Sequence, residues 1–130
     1  MADVRIVAER TVLVCDPAGP PIIDAQGALD LIGQAWAAQA DLIVLPVSRL
    51  TDDFFTLSTG LAGEVLQKFV NYQRRIAIVG DVSEAVAGSD ALRDFIRESN
   101  RGRHVWFVAD LAELAARLEA RALAPGGRAV

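Results

Sequence analysis

Apolar residues along this chain come in three patterns, and each predicts a different kind of element. Residues 4–8 and 11–15, "VRIVA" and "TVLVC", are β-branched runs joined by Glu9-Arg10, which is the spacing of a tight antiparallel hairpin. "LIVLPV" at 42–47, "RRIAIVGD" at 74–81 and "HVWFVAD" at 104–110 are short continuous apolar runs, the mark of strands buried on both faces. Between them the period changes to that of a helix. Ala28, Leu29, Ile32, Ala35 and Trp36 recur at helical spacing in a first helix over about 25–39, with Asp24 placed to cap it. Leu61, Val65, Leu66, Phe69 and Val70 define the apolar face of a second helix that ends near Gln73. Leu92, Phe95 and Ile96 do the same for a third, with Ser89 or Asp90 as its cap and Gly102 as its stop. "LAELAARLEARAL" at 111–123 predicts a closing helix.

A hairpin followed by alternating helices and strands predicts one compact α/β domain over residues 1–124, built on a mixed sheet whose later strands are parallel and covered by helices. "DPAGPP" at 16–21 interrupts the strand before it, because proline has no N–H to donate. Residues 125–130 carry no apolar period and are expected to be a flexible tail. In sheets of this kind, ligands sit at the carboxyl ends of the parallel strands. That directs attention to Ser48-Arg49, to Gly80-Asp81-Val82-Ser83 and to Ala109-Asp110.

Composition narrows the chemistry. The 130 residues are 52% hydrophobic, ample for a substantial core, and the net charge of -4 provides no positive field to hold nucleic acid or an anionic membrane. No apolar run approaches the roughly 20 residues that span a bilayer, and the start "MADVRIVAERTV" has no signal-peptide pattern, so a cytoplasmic protein is expected. Cys15 and His104 are the only residues of their kinds, which argues against an internal disulfide, a thiolate metal site or any metal cofactor. Partners are expected to be proteins or small molecules, with a homo-oligomer open.

The stretch "LSTGLAGE" at 57–64 sets two hydroxyls and two glycines at the start of the second helix. The unpaired N–H groups and positive dipole end of a helix favour a phosphate there, so Ser58, Thr59, Gly60 and Glu64 are candidate binding residues, and Ser58 and Thr59 candidate phosphorylation sites. No lysine follows as in a Walker-type loop. Neither hydroxyl has Glu or Gln three residues on, so plain capping lacks its usual box. Asp81 and Ser83 in "VGDVS" are expected neighbours, with capping of a turn as the simpler role. Arg93, Arg97 and Arg101 form a basic stripe on the third helix, with Arg103 just beyond; it either grips an anion or is a solvated face balanced by Asp94 and Glu98. His104 stands beside Trp106 with no catalytic partner at a known spacing, a structural pattern. Phe54 and Phe55 suit the core, or an apolar wall beside a site.

The blocks "FFTLSTGLAGEVLQKFVNY" at Phe54–Tyr72, "GDVS" at Gly80–Ser83 and "LRDFIRESNRG" at Leu92–Gly102 resemble a family of uncharacterised bacterial proteins known as a domain of unknown function, the 4180 family. That resemblance covers nearly the whole chain and implies no particular activity. A second likeness is to STAS domains of the anti-sigma-factor-antagonist type, in which "D-S-S-G-L-G" opens the corresponding helix and its first serine is phosphorylated by a partner kinase. Ser58 takes that serine's place, Thr59 follows, Gly60 and Leu61 match, Ala62 replaces the second glycine and Leu57 the aspartate. The likeness implies a STAS-like fold and a regulatory switch module that engages a protein partner. The alternative is a small-molecule or nucleotide-binding domain, an enzyme included, in which Thr59, Glu64, Asp81, Arg93 and Glu98 converge on one polar cleft.

Overall fold

A computed structural model describes residues 2–123, and the tail expected over 125–130 lies outside the described residues. Strands β1 (Asp3–Val7), β2 (Arg10–Val14), β3 (Leu42–Pro46), β4 (Arg75–Val79) and β5 (Val105–Val108) form one five-stranded sheet in the order β1-β2-β3-β4-β5. The first pair is antiparallel and every later pair is parallel, which is the mixed sheet that the alternation of elements predicts. No helix of the described residues is long and apolar enough to cross a membrane.

The hairpin turns one residue earlier than the sequence suggests. Val7 pairs with Arg10, and the residues between them, Ala8 and Glu9, have φ of 48° and 67°. A two-residue hairpin needs left-handed backbone at both central positions to match the twist of its strands, and this one accepts it without Asn or Gly.

The helices are α1 (Ala25–Ala37), α2 (Asp52–Phe55), α3 (Leu61–Asn71), α4 (Ser83–Ala87), α5 (Asp90–Arg101) and α6 (Leu111–Leu123). Asp24 caps α1 by accepting from the Gly27 N–H, as the sequence predicts, and of the two caps it offers for α5 Ser89 is the one that serves, accepting from the Leu92 N–H. The short helices α2 and α4 are not predicted. Thr51 starts α2, its hydroxyl facing the Phe54 N–H, and this one turn puts Phe54 in the core with Phe55 edge-on to it at 5.2 Å. Both α1 and α3 end in the same way. Gln39 and Gln73 adopt φ of 56° and 54°, and paired bonds close each end: Gln39 N–H to Trp36 O with Ala40 N–H to Ala35 O, then Gln73 N–H to Val70 O with Arg74 N–H to Phe69 O. This is the Schellman arrangement, with glutamine in the place that glycine usually takes.

Because each parallel connection advances one strand in the same direction, and such connections share one hand, α1, α3 and α5 fall on a single face. Leu13, Ile43, Leu45, Ile76, Ile78 and Phe107 meet Leu31, Ala35, Val65 and Phe69 there, with Phe95 and Ile96 of α5 packed alongside. Val12, Leu42, Val44, Ala77, Trp106 and Val108 line the other face and are covered by Leu114 and Leu118 of α6. Trp36, expected in the core of the first helix, is instead 70% exposed, at the margin of the buried stripe formed by Ala28, Leu31, Ile32 and Ala35, with the Arg74 guanidinium 4.7 Å above its ring. Val70 is likewise exposed, where the sequence sets it on the apolar face of its helix.

Candidate functional site

At the carboxyl ends of the parallel strands, the protein's own loops occupy much of the space. After β3 the chain makes a single tight turn at Val47–Arg49, and Arg49 folds inward, 7% exposed, beneath the "DPAGPP" loop. Its Nε donates to Pro20 O at 2.5 Å and its guanidinium also donates to Asp16 O at 3.0 Å, while Ser48 Oγ donates to Pro17 O at 3.0 Å. The loop turns backbone carbonyls toward Arg49, which is what a guanidinium with donors only requires. Gly19 makes the contact possible, since a Cβ there would stand 2.6 Å from the guanidinium. Arg49 therefore ties the loop to the sheet. Nothing in its sequence neighbourhood signals this role, because the carbonyls that receive it lie about thirty residues earlier.

Gly80 follows β4 with φ of 145°, and a Cβ on it would lie 2.8 Å from Val47, so the turns after β3 and β4 press together. Asp81 and Ser83 follow as a local turn: the Ser83 N–H donates to Asp81 Oδ1 at 2.9 Å. That bond, with the Ser83 hydroxyl as a second donor, holds the Asp81 carboxyl below the usual carboxylate range. Both side chains are exposed, and this bond is a turn cap of the kind the sequence suggests.

The stretch "LSTGLAGE" divides into a turn and a helix. Leu57–Thr59 make a tight turn, Gly60 follows in left-handed backbone with φ of 79°, and α3 begins at Leu61. The hydroxyl of Thr59 is fully engaged: it lies 2.7 Å from Asp53 O and 2.9 Å from Thr56 O as donor, and accepts from the Leu61 N–H at 3.2 Å. Ser58 is the opposite case. Its side chain is exposed and has no partner among the described residues. It lines an open cleft of about 580 Å³ between the turn and the α4–α5 connection, facing Ala85, Gly88, Ser89 and Ala91, with Asp52, Phe55 and Thr56 on its own side. This cleft stands at the carboxyl ends of β3 and β4, where sequence reasoning looks for a site, although Asp81 and Ser83 are not in its lining.

The remaining candidates lie elsewhere. Glu64 is exposed on the first turn of α3. Arg93 pairs with Asp90, Arg97 with Asp94 at 3.5 Å and Arg101 with Glu98 at 3.4 Å, so the stripe on α5 is balanced residue by residue along its own helix. Glu98 also borders a second cleft, about 310 Å³, between α3 and α5, together with Gly63, Phe95, Ser99, Arg103 and His104. That cleft lies at the amino end of β5, the opposite end of the sheet from Ser58. Among the described residues, no group of His, Cys, Asp and Glu is placed to hold a metal ion.

No curated protein and no solved structure matches the chain. The sequence profile described as a domain of unknown function (DUF4180) does match, over residues 7–118. That span runs from the end of β1 into α6 and takes in β2 to β5, the Arg49 clamp, the Leu57–Gly60 turn and both clefts, so the chain belongs to the DUF4180 family.

Proposed function

We propose that this protein is a binding and regulatory module that engages a protein partner at the Leu57–Gly60 turn and is switched by phosphorylation of Ser58. The observation that carries this reading is the contrast between neighbouring hydroxyls: that of Ser58 is exposed and free among the described residues, whereas that of Thr59 is bonded into the turn. A kinase needs an accessible hydroxyl on a surface turn; Thr59 is exposed as well, and Ser58 differs in that its hydroxyl has no bond to break. A phosphate on Ser58 would bring a charge of roughly −1.5 to −2 beside Asp52, in a cleft otherwise lined by small and apolar residues. It would also stand near the first turn of α3, where the N–H groups after that of Leu61 attract an anion. Repulsion on one side and attraction on the other change what the cleft presents to a partner. The STAS-like pattern supports the same reading, since Ser58 takes the place of the serine that those domains use as a switch.

A small-molecule or nucleotide site has less support. Ser58 and Glu98 border different clefts at opposite ends of the sheet, and Thr59, Asp81 and Arg93 spend their polar groups on local bonds.

Mass spectrometry of the protein isolated from its native cell, joined to affinity capture with the wild type, Ser58→Ala and Ser58→Glu, tests the proposal. A fraction modified at Ser58, and a partner recovered with wild type and Ser58→Ala but lost with Ser58→Glu, is the expected result. An unmodified Ser58, or the same proteins recovered at the same level by all three baits, would end it.

A further inference from the structure

The two edges of the sheet are finished in different ways. At β5 the side chain of Asn100 occupies the outward backbone groups of Phe107: its Oδ1 accepts from the Phe107 N–H at 2.7 Å and its Nδ2 donates to the Phe107 carbonyl at 3.3 Å. An amide that fills both groups stands where the next strand would bond, and closes that edge. At β1 no side chain of the described residues does this, and Val4 and Ile6 are 50% and 68% exposed.

The register of the hairpin tells which groups β1 leaves open. Val7 and Arg10 flank the two-residue turn and so exchange both of their hydrogen bonds. Counting back in twos, Arg5 and Asp3 bond to β2, and the N–H and C=O groups of Val4 and Ile6 point away from the sheet. Side chains alternate in the same rhythm. Val4 shares a face with Leu13, and Asp3 and Arg5 project from the other, where Arg5 Nε lies 3.2 Å from Asp3.

We propose that the open edge of β1 binds a second copy of this chain, strand to antiparallel strand about a two-fold axis through Val4, joining two five-stranded sheets into one. Charge selects the register. With Val4 opposite Val4 as a hydrogen-bonded pair, Asp3 of each copy stands opposite Arg5 of the other, twice by symmetry, and Ile6 lies opposite Ala2. The next register that keeps the open groups matched centres on Arg5 and sets the two arginines against each other, which is unfavourable. The Val4-centred pairing thus carries ionic pairs on one face and apolar pairs on the other. This surface is separate from Ser58 and does not depend on its role.

Sedimentation velocity over a range of protein concentrations tests the proposal with charge reversals that convert attraction into repulsion. Wild type is expected to dimerise, and Asp3→Arg and Arg5→Glu each to weaken the dimer by about tenfold or more, since each sets two like-charged pairs face to face. Mixing the two variants is expected to restore association, because arginines at 3 and 5 on one chain then face carboxylates at 5 and 3 on the other. Val4→Pro removes only an outward N–H, so it should abolish the dimer and leave the circular dichroism spectrum unchanged. A wild type that stays monomeric, including one that takes up only a peptide of another sequence at this edge, would overturn the proposal. So would reversal variants that dimerise like wild type, or a mixture that remains monomeric.

Discussion

Cys15 follows β2 with its thiol in the core shared by the sheet and α1, and burial pushes its pKa up to about 11 against the opposing influence of Arg49. The thiolate is the reactive form, so this cysteine is expected to be inert in the native protein at neutral pH. With a disulfide reagent, modification should be slow in buffer and immediate in denaturant; a fast native reaction would contradict this burial. The sign of the linkage follows. A group that holds its proton more firmly in the folded state loses stability as pH rises, here from about 9, where the unfolded thiol ionises, through 11. Cys15→Ser should flatten that part of the pH–stability curve. Single residues were unevenly legible from sequence. Asp24 and Ser89 announce themselves as caps because a short polar side chain precedes an apolar period. Ser58 and Thr59 look equivalent in the sequence, and only the turn, which bonds one hydroxyl and leaves the other, separates them.

The ends of elements show where local signals run out. Glycine normally marks the left-handed residue after a helix, and α1 and α3 use Gln39 and Gln73 instead, so sequence reasoning sets the first helix over about 25–39 and the end of the second near Gln73, each two residues too far. The strained position is itself an opportunity for stabilisation. Gln39→Gly and Gln73→Gly should each raise stability by about 0.5–1 kcal/mol, through relief of left-handed strain partly offset by the greater freedom of glycine when unfolded. Urea denaturation would check this, and a loss of stability in both variants would mean that the glutamine side chains contribute more than the strain they bring. The long elements were legible for the converse reason. Three continuous apolar runs and four amphipathic periods repeat their signal over enough residues to outweigh any one exception such as Trp36. The four-residue α2 has one buried residue, Phe54, and no period to detect.

The molecule as a whole is unequal across its sheet. Helices α1, α3 and α5 share one face, while among the described residues α6 alone covers Val12, Val44, Ala77, Trp106 and Val108 on the other. Leu114, wholly buried there, should be a sensitive position: Leu114→Ala is expected to cost about 2–5 kcal/mol, a large share of the roughly 5–15 kcal/mol that holds a domain together. In urea the midpoint should fall with the slope unchanged. A shallower slope would show α6 detaching before the sheet unfolds. This imbalance follows from the strand order, which the sequence does not display, since alternating helices and strands are compatible with sheets that reverse direction halfway. The same order governs how the chain is assembled during synthesis. Each strand is laid against the one made just before it, so a growing chain always has a fresh adhesive edge at its newest strand, and β5 is the first to arrive with its stopper, Asn100, already made a few residues ahead of it. A ribosome-bound fragment that ends before β5 is therefore the form most in need of a chaperone, and release of the full chain removes that need on the C-terminal side of the sheet.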